Sequence, residues 1–83
     1  MKVRFSKHAL VQMEERGAVR SEVVKALQEG EEIPAKAGRK CYRMNFQYNG
    51  SWMGKRYRIK QVAPVVVEED GKFVVVTVYV FYF

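Results

Sequence analysis

The stretch "FSKHALVQMEERG", residues 5–17, holds the only histidine of the chain, His8, two helical turns ahead of Arg16. Those two residue types suit acid–base chemistry at a phosphate. A neutral imidazole accepts a proton near pH 7, as a general base must, and a guanidinium offers phosphate a planar, permanently charged fork. Helical spacing puts His8, Gln12 and Glu15 in one line with Arg16 at its edge. A lone histidine on a helix is more often a surface residue. The pair therefore gains weight only if the rest of the chain supplies further cations.

It does. Residues 33–67 contain no Asp or Glu, yet they carry Lys36, Arg39, Lys40, Arg43, Lys55, Arg56, Arg58 and Lys60, interleaved with Tyr42, Phe46, Tyr48, Trp52 and Tyr57. The formal net charge is +6. A basic block with aromatic rings is the electrostatic footprint expected for a polyanion such as a nucleic acid. The plainer alternative is a solvated basic surface that serves solubility.

Composition narrows the classes. A single cysteine, Cys41, excludes an internal disulfide, and one cysteine with one histidine gives no zinc-ligand spacing, so no metal or cofactor is expected. The charged opening residues lack the apolar run of a signal peptide. The apolar end, "FVVVTVYVFYF", is too short to span a membrane, which takes about 20 residues. Its β-branched and aromatic composition predicts a buried strand. These features suggest a cytoplasmic protein without membrane contact. Eighty-three residues make one domain, 1–83, burying about 60% of its unfolded surface.

The elements that would position these groups follow from periodicity. Ser6 is placed to cap a helix running to Arg16, and Gly17 sits where a left-handed stop belongs. Phe5, Ala9, Leu10 and Met13 form its apolar stripe. A second helix is predicted from Arg20 to Glu29, with Val23, Val24, Ala26 and Leu27 inward and no good cap, since Val19 or Ser21 must serve. "EEIPAKAGRK" reads as a connecting loop. The remainder alternates as β, with hairpin turns predicted at Asn49-Gly50 and Asp70-Gly71. The fold class is α+β, with two N-terminal helices on one face of an antiparallel sheet of three to four strands.

A turn at Asn49-Gly50 fixes a register. It sets Arg43 opposite Arg56, Cys41 opposite Arg58, Arg39 opposite Lys60 and Gln47 opposite Trp52, all on the face away from the helices. Like charges directly opposite are destabilising, so solvent must screen such a ladder or an anion neutralise it. The second turn adds Thr77, Tyr79, Phe81 and Phe83 to that face and gives Val74, Val76, Val78 and Val80 to the core. Arginines then stand beside rings on which bases can stack. The rings could equally form a small cluster under a loop or a partner, and a bulge at Pro64 would slip the pairing by one.

The helix motif, with His8, Ala9, Met13, Arg16 and Gly17, resembles the opening helix of a family of small, largely uncharacterised bacterial domains related to the RelE and BrnT toxins. Thr77, Val78 and Tyr79 in "VVVTVYV" resemble that family's final strand. Gln12 stands where the pattern has an arginine. The resemblance implies a RelE/BrnT-like fold and a toxin domain of a toxin–antitoxin type system, with metal-independent endoribonuclease activity or capture by an antitoxin. On this reading His8, Arg16, Thr77 and Tyr79 form the catalytic group, and Arg39, Arg43, Arg56, Arg58, Lys60 and Trp52 bind RNA. The expected partners are RNA, including ribosome-bound mRNA, and an acidic antitoxin-like protein or a second copy of the chain. The alternative is a non-catalytic module that binds nucleic acid or an acidic protein.

Overall fold

The computed structural model describes residues 2–83. The element order is β1 (Val3–Phe5), α1 (Lys7–Arg16), α2 (Arg20–Glu29), β2 (Glu31–Pro34), β3 (Lys40–Trp52), β4 (Lys55–Glu69) and β5 (Lys72–Tyr82). The strands form one five-stranded sheet in the order β1-β5-β4-β3-β2, with β1 parallel to β5 and the other pairs antiparallel. The class is α+β as expected, but the sheet is larger than three to four strands and is mixed. Two short edge strands account for the difference. Glu31–Pro34, read from sequence as loop, pairs with β3, and Val3–Phe5 pairs with Phe73–Val75.

Both helices form where the capping chemistry allows. The Ser6 side chain accepts from the Ala9 N–H at 3.0 Å, and Gly17 ends α1 at φ 81°. The start of α2 is stabilised from within: Glu22 Oε1 accepts from the Val19 N–H at 3.0 Å. Ala9, Met13, Val23 and Leu27 then pack on Val62, Val66, Val75 and Val78. Each fully buried valine contributes about 1.5–3 kcal/mol.

Three tight turns share one signature. Ala37-Gly38, Met53-Gly54 and Asp70-Gly71 each have positive φ at both residues, as type I′ turns require. Asp70-Gly71 joins β4 to β5 as predicted, with Glu69 opposite Lys72. Asn49-Gly50 does not turn the chain. It lies inside β3, where Asn49 has φ 47° and the register shifts between Gln47 and Gly50. Moving the turn to Met53-Gly54 lengthens β3 by enough to bring Trp52 onto Tyr82, with ring centroids 4.9 Å apart and planes at 14°. Gly17 completes this contact, because a Cβ there would stand 2.8 Å from the Trp52 ring and 2.7 Å from Tyr82 Oη. Burial of a large aromatic outweighs a local turn preference.

A bulge also falls near Pro64. The β4–β5 register shifts between Val65 and Val66, leaving Val76 as the extra residue. Val78 therefore faces the core as expected, whereas Val75 and not Val76 is the next core residue. With Phe83 and Ile59 exchanging backbone bonds of 3.0 and 2.7 Å, the backbone N–H and C=O of Val78 point away from β4. At that place β1 has already ended, and α1 satisfies them instead. Gln12 Oε1 accepts from the Val78 N–H at 2.9 Å, and Arg16 Nη1 donates to the Val78 carbonyl at 2.7 Å.

Candidate functional site

The sheet face away from the helices holds a cavity of about 450 Å³. Its floor is Cys41, Ala63 and Val65, one side is the segment from Ile33 to Ala37, and the other is Tyr79 and Phe81. Small residues at Ala63 and Val65 leave the depression. The cross-strand pairs Cys41–Val65 and Ala63–Tyr79 fix which side chains share it. The Tyr79 and Phe81 rings lie 6.4 Å apart with planes at 16°, and they are 45% and 51% exposed. At the rim, Gln61 Nε2 donates to Asn45 Oδ1 at 2.8 Å. Burial pushes the Cys41 thiol above its ordinary pKa, with Arg43 pulling slightly the other way.

Positive charge on this face is partly neutralised by a residue outside the basic block: Glu31, brought alongside by β2, meets Arg43 Nε at 2.8 Å. On the helix face, where Lys40 stands opposite Val66, Glu68 meets Lys40 Nζ at 2.7 Å. The Glu68 contact raises the Lys40 pKa. Arg43 therefore faces Glu31 and not Arg56, and the arginine ladder expected from sequence is absent. Lys36 and Arg39 flank the Ala37-Gly38 turn, where the Arg39 N–H donates to the Lys36 carbonyl at 3.2 Å. Both line the cavity and both are exposed. Arg56 is exposed opposite Ser51 and donates to the Asn49 carbonyl at 3.2 Å, and Arg58 is exposed beside it.

Two residues expected here lie elsewhere. Lys60 is 6% exposed on the helix face, where its ammonium meets Glu22 Oε1 at 2.8 Å and donates to the Gly17 carbonyl. Trp52 is half-buried against Tyr82 on that same face. The displaced turn is the cause, since it shifts β3 against β4 so that Phe46 and not Arg39 stands opposite Lys60.

The proposed catalytic residues gather in part. Arg16 reaches the sheet edge, where its guanidinium carbon lies 5.5 Å from the Tyr79 ring centroid. Thr77 is half-buried on β5, opposite Val65. His8 is exposed in the first turn of α1. Its backbone stands about 12 Å along the helix from that of Arg16, at a rise of about 1.5 Å per residue. Ile33, Lys36, Ala63 and Val65 were not read as site residues from sequence. The one available signal was a glycine turn held between two cations, Lys36 and Arg39.

Among the described residues no group of His, Cys, Asp and Glu could hold a metal ion, and no helix is long and apolar enough to cross a membrane. Fold and site together define a small basic α+β domain with a cation-rimmed, aromatic-walled cavity on its open sheet face. The family described as a domain of unknown function (DUF4258) matches residues 5–80, and the chain belongs to it. No curated protein and no solved structure matches the chain.

Proposed function

We propose that this domain binds single-stranded RNA on the open sheet face, as the toxin-type member of a toxin–antitoxin pair. One observation carries the reading: two half-exposed, near-parallel rings, Tyr79 and Phe81, stand across a cavity from Lys36 and Arg39. Rings accept unstacked bases and cations accept the phosphates between them, a combination that suits single strands better than duplex. Arg56 and Arg58 extend the phosphate track along β4. The resemblance of the His8 helix to RelE- and BrnT-related domains supports the toxin assignment. An acidic antitoxin-like segment or a second copy of the chain would then cover the same face. The test is the salt dependence of affinity for a short oligoribonucleotide, which falls steeply as phosphate contacts release counterions. Arg39→Glu and Arg56→Glu each lower that slope by about 1. Affinity indifferent to salt, or unchanged in both variants, removes the face from the function.

The contact of Arg16 with Tyr79 favours a second, catalytic reading. The ribose 2′-oxygen attacks the adjacent phosphorus, the bond to the 5′-oxygen breaks, and a 2′,3′-cyclic phosphate and a 5′-hydroxyl result. A base removes the 2′ proton and an acid protonates the leaving oxygen, roles for His8 and Tyr79. Arg16 steadies the phosphorane with the guanidinium N–H groups that Val78 leaves free. Cleavage resistant to EDTA and lost in both His8→Ala and Tyr79→Phe is the expected result, on free RNA or on ribosome-bound mRNA. Full activity in His8→Ala would remove the histidine from the mechanism.

A further inference from the structure

The cavity is shaped for one nucleotide and not for a length of strand, and we infer that it seats a single unstacked base with its phosphate on the Lys36–Arg39 pair. This rests on the nucleic-acid reading of the same face and names what the cavity itself takes. A volume of about 450 Å³ falls in the range that encloses small ligands. Its chemistry is divided as a nucleotide's is. The floor of Ala63, Val65 and buried Cys41 is apolar, and the flanking Tyr79 and Phe81 rings present faces for a planar heterocycle. Gln61 holds amide donor and acceptor capacity beyond its bond to Asn45, enough to meet one edge of a base.

The cations argue for the phosphate. The Ala37-Gly38 turn holds Lys36 and Arg39 as neighbours, and like charges paired in this way repel. No carboxylate is among the residues lining the cavity, whereas Arg43 at its edge already has Glu31. An anion seated between Lys36 and Arg39 offsets their repulsion, and the doubly charged phosphate of a mononucleotide matches both. The nucleotide can come from an RNA strand or be free in solution, since the recognised chemistry is the same.

The chain's single thiol reports on occupancy, because Cys41 lies in the cavity floor. Titration of the intact domain with adenosine 5′-monophosphate should shift the amide resonances of Ala63 and Val65 and slow alkylation of Cys41. Adenosine, without the phosphate, and ribose 5-phosphate, without the base, should each bind about tenfold more weakly. Lys36→Glu and Arg39→Glu should weaken the mononucleotide by a similar factor while leaving the melting temperature unchanged. A parallel titration with a short oligoribonucleotide separates the possibilities. If the oligonucleotide binds with a steep salt dependence yet neither shifts Ala63 and Val65 nor protects Cys41, RNA lies elsewhere on the face and the cavity proposal is overturned. If the mononucleotide binds and the oligonucleotide does not, the cavity is a free-nucleotide site and the RNA reading alone falls. Failure of both ligands overturns both.

Discussion

Lys60 on the helix face and Arg39 on the open face are cations of one sheet, held in opposite ways. Lys60 has Glu22, the Gly17 carbonyl and the Tyr48 ring, 5.9 Å away, as its surroundings and is almost sealed from solvent. Arg39 is exposed and has Lys36 for a neighbour. The aromatic rings divide likewise. Tyr82 is held by Trp52 and by its own hydroxyl, which donates to the Arg16 carbonyl at 2.8 Å, whereas Phe81, next to it in the chain, stands half-exposed on the other side. A face whose charges and rings satisfy one another holds the fold together. A face that leaves them unsatisfied has capacity for something else.

The sharpest way to break this contrast is at Glu22. Removing its carboxylate leaves the Lys60 ammonium buried without a counter-charge, so Glu22→Ala should cost about 3–5 kcal/mol by denaturant titration. The pair Lys60→Met with Glu22→Gln should recover most of it, since neither variant side chain carries a charge. Gly17→Ala comes next. It forces an L side chain to φ 81° and drives a methyl into Trp52 and Tyr82, at a cost of about 2–4 kcal/mol. Intact stability in that variant would show that the Trp52–Tyr82 stack yields easily.

A third test uses alkali. Burial, then Tyr48 and Glu22, pushes the Tyr82 hydroxyl up to about 12 from an ordinary 10. Because the folded state holds the proton more tightly, the stabilisation is complete below pH 10 and is lost as pH rises toward 12. Tyr82→Phe should flatten the fall of stability across that window, and an unchanged alkaline profile would place the sensitivity elsewhere. On the open face the expected effects are smallest. Lys36→Glu and Arg39→Glu should alter stability by no more than about 0.5 kcal/mol, as surface changes do. A larger loss would mean that these cations serve the fold after all.

Both helices and the caps of α1 were legible in the sequence, because Ser6, Gly17 and the apolar spacing act within a few residues of one another, whereas the Glu22 cap of α2 was not read. The alternation of β3 and the Asp70-Gly71 turn were legible for the same reason. Asn49-Gly50 misled because local turn preference favours Asn-Gly over Met-Gly, whereas the chain turns at Met53-Gly54. The choice between them depends on Trp52 meeting Tyr82 and Gly17, residues far apart in the chain. The short edge strands were hidden because Val3–Phe5 and Glu31–Pro34 are too brief to show a period. The open face followed the same division. Thr77, Tyr79, Phe81 and Arg43 were placed on it correctly, since strand alternation alone puts them there. Lys60 and Trp52 were misplaced by the turn, and the cavity floor at Ala63 and Val65 carries no charge or motif to announce it.

The sheet order also sets a timetable. β5 follows every other element in the chain, yet it lies inside the sheet, between β4 and β1. The Ser6 N–H donates to the Val75 carbonyl at 2.9 Å, and Gln12 and Arg16 both bond to Val78, so the first helix is fastened to the strand that emerges after all the rest. During synthesis at about 5–20 residues per second, α1 and β1 wait on the ribosome with their backbone partners still unmade. The open face assembles in that same final step, because one wall of its cavity is Tyr79 and Phe81. A nascent chain stopped short of Lys72 therefore carries every other cation of the sequence while its cavity lacks the Tyr79–Phe81 wall. The domain acquires its fold and its binding surface together, only after β5 has left the exit tunnel.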